Sequence, residues 1–179
     1  MSPSARPAES LVLTFVGPDR PGLVNLIAEA VARHGGNWLE SRLANLAGAF
    51  AGVVLVEVSS AARAGLISSL AQLEQEGLRI TIASGQETAA LPGTHLRLEL
   101  VAHDRPGIVR DVTQTLTRLG VNIEDFSSAL ESAPFTGETL FKAQLQLSLP
   151  ADVPEPSVRA ALERLAHELM VDIKTPEPA

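Results

Sequence analysis

Two short segments of this chain bring a carboxylate, a guanidinium and a glycine together in the same order. Asp19-Arg20-Pro21-Gly22 and Asp104-Arg105-Pro106-Gly107 each follow an apolar strand-like run and precede a helical one. A strand-to-helix junction exposes helix N–H groups that carry partial positive charge and attract a carboxylate. Glycine at the fourth position lets a ligand approach the backbone without meeting a Cβ. The Asp carboxylate can accept hydrogen bonds from an ammonium group beside it. Asn37 and Asn122, each eighteen positions after its Asp, add both a donor and an acceptor. Such a set suits a zwitterion such as a free amino acid. The plainer reading uses the same residues: Asp before a helix is commonly an N-cap, and Gly or Asn before a strand commonly a turn.

The elements that position these residues also occur twice. The offset of 85 that carries Asp19 to Asp104 also carries Gly35 to Gly120, Asn37 to Asn122, and Leu11, Leu13 and Phe15 to Leu96, Leu98 and Leu100. A gap-free match of that kind is the signature of an internal duplication. In each copy an alternating strand leads to a helix with an apolar stripe, Leu23, Ile27, Ala30 and His34 or Ile108, Val112, Leu116 and Leu119. The first strand, Leu11 to Val16, is more uniformly apolar than its counterpart, which predicts burial on both faces. Pro21 and Pro106 are placed in the first helical turn, and Gly35 and Gly120 at left-handed C-terminal caps. Strands are expected at 37–46 and 53–58, and at 122–130 and 141–149. The second helices carry Leu66, Leu70 and Leu73, or Val158, Leu162, Leu165 and Leu169, and closing strands fall at 78–82 and 170–173.

The order βαββαβ in both halves predicts an α+β fold: two ferredoxin-like domains, each an antiparallel sheet with helices on one face. The expected boundaries are a disordered tail at 1–9, domains at 10–84 and 93–175, and a linker at 85–92. The hairpin SAPFTGE, 132–138, is longer than the turn near Gly48 and Gly52 in the first copy.

Composition narrows the function. A formal net charge of −7 opposes binding to a phosphate backbone, and six aromatic residues in 179 leave little for stacking on single strands. There is no cysteine, hence no disulfide or thiolate chemistry, and no apolar run of membrane-spanning length. The chain is therefore expected to be cytoplasmic. His34, His95, His103 and His167 form no i, i+4 zinc pair, and neither a nucleophile elbow nor a phosphate loop is present. No enzyme activity, metal or cofactor is expected.

The Asp-Arg-Pro-Gly junction followed by GGN at 35–37 and GVN at 120–122 resembles the ACT domain, across about 10–84 and 93–175. Two such domains without a catalytic domain resemble the glycine cleavage system transcriptional repressor group. The resemblance implies domains that pair side by side and bind amino acids at the pair interface. It points to Asp19, Gly22, Leu23 and Asn37, and to Asp104, Gly107, Ile108 and Asn122, as ligand contacts. It further implies a homodimer, glycine or a similar amino acid as ligand, and a transcriptional activator as protein partner. The other readings are a ligand-free adaptor and a separately encoded regulatory subunit of an amino-acid metabolic enzyme. Arg20 and Arg105 are expected to point into solvent, His103 to be a solvated loop residue, and Trp38 to pack at an interface.

Overall fold

The computed structural model describes residues 8–85, 93–132, 137–165 and 170–174. The chain divides into two compact units, Met1–Glu87 and Thr88–Ala179. In unit 1, β1 (Ala8–Pro18) leads to α1 (Leu23–Arg33), β2 (Asn37–Leu46), β3 (Ala49–Ser59), α2 (Ser60–Gln72), a 3₁₀ turn (Leu73–Glu76) and β4 (Arg79–Ser84). In unit 2, β5 (Thr94–His103), α3 (Ile108–Arg118), β6 (Asn122–Ser132), β7 (Thr139–Leu149), α4 (Glu155–Glu163) and β8 (Met170–Lys174) repeat the series.

Both sheets have the order expected of a ferredoxin-like fold, β2-β3-β1-β4 and β6-β7-β5-β8. The two central strands are β1 and β3, paired antiparallel from Ala8 opposite Ser59 to Pro18 opposite Ala49. Since β2 and β1 both run antiparallel to β3, they are parallel to each other. β2 is an edge strand. The same irregularity interrupts it in each unit, between Trp38 and Glu40 and between Ile123 and Asp125. A bulge at the same position in both halves is a retained feature of the fold.

Alternation along the strands builds one core per unit. Leu11, Leu13, Phe15, Val54, Val56 and Val58 face α1 and α2 and are buried with Leu23, Ile27, Ala30, Val31, Leu66 and Leu70. Leu96, Leu98, Leu100, Leu145 and Leu147 do the same beneath Ile108, Val112, Leu116, Val158 and Leu162. Burying such a leucine side chain contributes about 1.5–3 kcal/mol.

Several expectations change. Residues 8 and 9 belong to β1, paired with Ser59 and Val58, rather than to a tail. Gly22 and Gly107 stand at the helix N-termini with φ of 92° and 85°, so the helices begin at Leu23 and Ile108. Pro21 and Pro106 therefore lie in the turn before the helix, because a left-handed residue cannot continue helical geometry back to them. Gly52 lies within β3, and the tight turn is formed by Ala47 and Gly48, φ 51° and 78°. Two positive φ values are what a two-residue hairpin turn between twisted strands requires. Val12 and Val16 are only partly buried, on the sheet face that carries no helix. Leu169, His167 and most of SAPFTGE lie outside the described residues.

Candidate functional site

The junction after β1 is held by the hairpin beside it. Asp19 donates its backbone N–H to the carbonyl of Gly48 at 2.9 Å, and Asn45 in β2 donates its side-chain amide to the Asp19 carboxylate. Neither α1 nor α3 has a side-chain cap, so Asp19 and Asp104 are not N-caps. The capping explanation of these residues is thereby removed. A Cβ built on Gly22 would meet nothing within 4 Å, so the approach to the start of α1 is open. α1 has no acidic residue in its first turn to offset the positive end of the helix dipole.

The junction after β5 uses the same four residues differently. Asp104 donates its N–H to Thr139 O at 3.0 Å, as Asp19 does to Gly48. Leu130, half-exposed, stands where Asn45 stands in unit 1, so it offers the Asp104 carboxylate no donor. Arg110 replaces Asn25, and its guanidinium lies 3.4 Å from where a Gly107 Cβ would be. Asp111 occupies the first turn of α3 and accepts from Arg105 at 2.8 Å and from Arg110 at 3.0 Å. The Arg105 and then the Arg110 guanidinium hold the Asp111 carboxyl below the usual carboxylate range. Asp111 thus places a carboxylate in the first turn of α3, where α1 has none.

Both arginines are exposed as expected, and each is also tied down by an ion pair. Arg20 donates to the Glu76 carbonyl at 2.8 Å and pairs with its carboxylate at 3.0 Å, tying the first junction to the 3₁₀ turn. Arg105 ties the second junction to α3 instead. His103, at the end of β5, is about half-exposed with its Nδ1 3.7 Å from Glu138. Trp38 is partly buried against the core of unit 1.

The predicted contacts do not assemble within one unit. Leu23 and Ile108 are buried core residues, so a ligand would meet their backbone and not their side chains. Asn37 is opposite Glu57, which is opposite Ser10, at the start of β1; Asp19 follows the far end of that strand. Eight residues of β3 separate the two levels, roughly 26 Å at 3.3 Å per residue. Asn122, opposite Ser148, is similarly remote from Asp104 beside Thr139. Each Asp and Asn of a set must serve different sites, or meet across two copies of the domain. Sequence reasoning missed Asn45, Arg110 and Asp111; Asn45 lies 26 residues from Asp19 and only the β2–β3 turn brings it back. Among the described residues no cluster of His, Asp or Glu could hold a metal ion, and no helix is long and apolar enough to cross a membrane.

Two βαββαβ repeats, each with an Asp-Arg-Pro-Gly junction, define a tandem of ferredoxin-like domains, and comparison with known proteins names the family. Family profiles described as ACT domain match residues 9–82 and 96–139, and the chain belongs to the ACT-domain family. It is similar to the glycine cleavage system transcriptional repressor of Escherichia coli (strain K12), 28% identical over 163 residues that cover 89% of this chain and 85% of that protein. It is also 27% identical to phosphoserine phosphatase SerB2 of Mycobacterium tuberculosis, spanning 92% of this chain but 40% of the phosphatase. Among solved structures, an unknown protein from Galdieria sulphuraria superposes with a TM-score of 0.76 at 27% identity, covering 94% and 99% of the two chains. A structure named for the glycine cleavage system transcriptional repressor superposes at 0.68 and 18% identity, covering 94% and 98%, which bears on the fold alone.

Proposed function

We propose that this protein is a non-enzymatic, amino-acid-responsive regulator that acts in the cytoplasm through a protein partner, in the manner of a glycine cleavage repressor. The ligand is a small amino acid, glycine or one of similar size, and the partner is a transcriptional activator. The net charge of −7 argues against direct contact with nucleic acid. Similarity to the repressor over 89% of the chain supports this reading over a phosphatase, of which the chain spans 40%.

The observation that carries the proposal is the open junction after β1. Gly22 leaves the start of α1 accessible, and Asn45 orients the Asp19 carboxylate beside it. The carboxylate of an amino acid would meet the helix N-terminus and its ammonium group would meet Asp19. Asn37 joins through a homodimer. If the β2 edges of two copies pair antiparallel about a two-fold axis, Asn37 of the partner subunit comes to the Leu46 end of β2, where Asp19 stands. Regulation requires that the partner-binding and free states differ in affinity for the amino acid.

Titration calorimetry with a panel of free amino acids tests this. One amino acid should bind saturably, and Asp19→Ala and Asn37→Ala should each abolish binding. Mixing the two variants should restore part of it, because a mixed dimer regains one complete site. No heat for any amino acid at millimolar concentration would contradict the proposal and favour the ligand-free adaptor.

A further inference from the structure

The two units differ most on the sheet face that carries no helix. In unit 1 this face presents Val12, Val16, Ala51, Val53, Leu55 and Ala83, as the strand register and alternation require. At the matching positions of unit 2, Val12 becomes Arg97, Val53 becomes Gln144, Leu55 becomes Gln146 and Ala51 becomes Lys142. The fold does not require an apolar open face, since the second repeat builds the same sheet with a polar one. Val53 is 47% exposed, and Val12, Val53 and Leu55 line a shallow hollow of about 260 Å³ with Glu40 and Arg42 at its rim. A valine and leucine patch left only partly buried at the centre of a sheet, with Val53 exposed, marks an interaction surface.

We infer that this face is a docking surface for the same face of a second copy of the chain, stacked sheet on sheet. Charge selects the occupant. The ionisable residues on this face are Glu40, Arg42, Glu57 and Arg79, two of each sign, within a chain of net charge −7. The four charges on this face cancel, so a second copy stacked here meets no net charge repulsion at the contact. Glu40 and Arg42 are neighbours on β2, paired at 3.0 Å and both well exposed. A two-fold axis through this rim sets each Arg42 against Glu40 of the partner subunit, so the patch is complementary to itself. At the centre the Thr14 hydroxyl already donates to Thr81 O at 3.5 Å. Stacked sheets lie about 10 Å apart, close enough for the valines and leucine to interdigitate. A four-stranded face of this length offers roughly 600 Å², so two copies bury about 1,200 Å², the lower bound for a specific interface. Association at that bound is reversible on dilution, and it is separate from pairing along the β2 edge.

Sedimentation velocity over a dilution series of the full chain tests the proposal. The wild type should show a reversible, concentration-dependent doubling of mass. Val53→Asp should move its midpoint at least tenfold higher in concentration, while Gln144→Asp at the matching position of unit 2 should not. Arg42→Glu should weaken the step, and the double variant Glu40→Arg/Arg42→Glu should restore it. Circular dichroism and melting would establish that Val53→Asp is folded, and the exposed Arg42 supplies a variant that leaves the apolar patch untouched. An unchanged midpoint in folded Val53→Asp would overturn the proposal, as would equal effects of Val53→Asp and Gln144→Asp. A constant mass with Val53 protected from hydrogen exchange would put another part of the chain on the face and equally overturn it. Amino-acid binding by Val53→Asp should persist, so loss of this association and failure of the ligand reading are seen separately.

Discussion

The junctions after β1 and after β5 share Asp-Arg-Pro-Gly, a left-handed glycine and a backbone bond to the neighbouring hairpin, yet their surroundings have diverged. In unit 1 the Asp carboxylate is held by Asn45 and the glycine stands open. In unit 2 Asn45 is replaced by Leu130, Arg110 lies near the glycine, and Asp111 stands in the first helical turn paired with Arg105 and Arg110. What the duplication kept is backbone geometry; what it changed is which groups a ligand would meet. The same division runs through the sheets, whose inner faces are apolar in both units while the open faces are largely apolar in one and polar in the other. A repeat therefore serves as its own control: a feature present once is not demanded by the fold.

The largest effects should come from the features the units share. Leu13 and Leu98 are equivalent and fully buried, each in its own core cluster. Replacing either by Ala should cost about 2–5 kcal/mol. Hydrogen exchange read by mass spectrometry should show the loss of protection confined to the unit that carries the change. Loss spread equally over both units would mean that the repeats do not have separate cores.

A smaller effect should follow from exchanging the residue that orients Asp19. Asn45→Leu gives unit 1 the side chain of unit 2 and removes one hydrogen bond, worth about 0.5–1.5 kcal/mol. Amino-acid affinity measured by calorimetry should fall by roughly threefold to tenfold, the factor equivalent to that energy. Unchanged affinity would show that Asn45 does not position the carboxylate.

The smallest effect belongs to unit 2. The Asp111 carboxyl is held below its usual range by Arg105 and Arg110, so its folded value lies below its unfolded one. The stability it contributes is present above about pH 4 and is lost as pH falls through the folded value. Melting of Asp111→Asn and of wild type should therefore converge as pH falls below about 4. A difference that persists or grows on acidification would contradict this account of the junction.

Much of the architecture was legible because it was written twice. Leu11 to Phe15 and Leu96 to Leu100 announced the inner strands, and the helix stripes and left-handed Gly35 and Gly120 followed from spacing. The site was less legible. The pairing of Asp19 with Asn37 assumed that eighteen residues return the chain to its starting point. A strand–helix–strand crossover makes β1 and β2 parallel, so the first residue of β2 stands near the first of β1 and far from Asp19; that signal was in the topology. The partners of Arg20 and Asp19, Glu76 and Asn45, are joined by tertiary contacts 56 and 26 residues away, which no local pattern encodes. The open face of β1 misled in an instructive way, because its valines are partly exposed within the unit.

If the open junction of unit 1 is the proposed amino-acid site and Arg110 and Asp111 obstruct its counterpart in unit 2, the two Asp residues should differ in their effect on binding. Calorimetry of the responding amino acid against wild type, Asp19→Ala and Asp104→Ala tests it directly. One site per chain is expected in the wild type, with binding abolished in Asp19→Ala and affinity and stoichiometry retained in Asp104→Ala. Two sites per chain, or binding lost in Asp104→Ala and kept in Asp19→Ala, would contradict it.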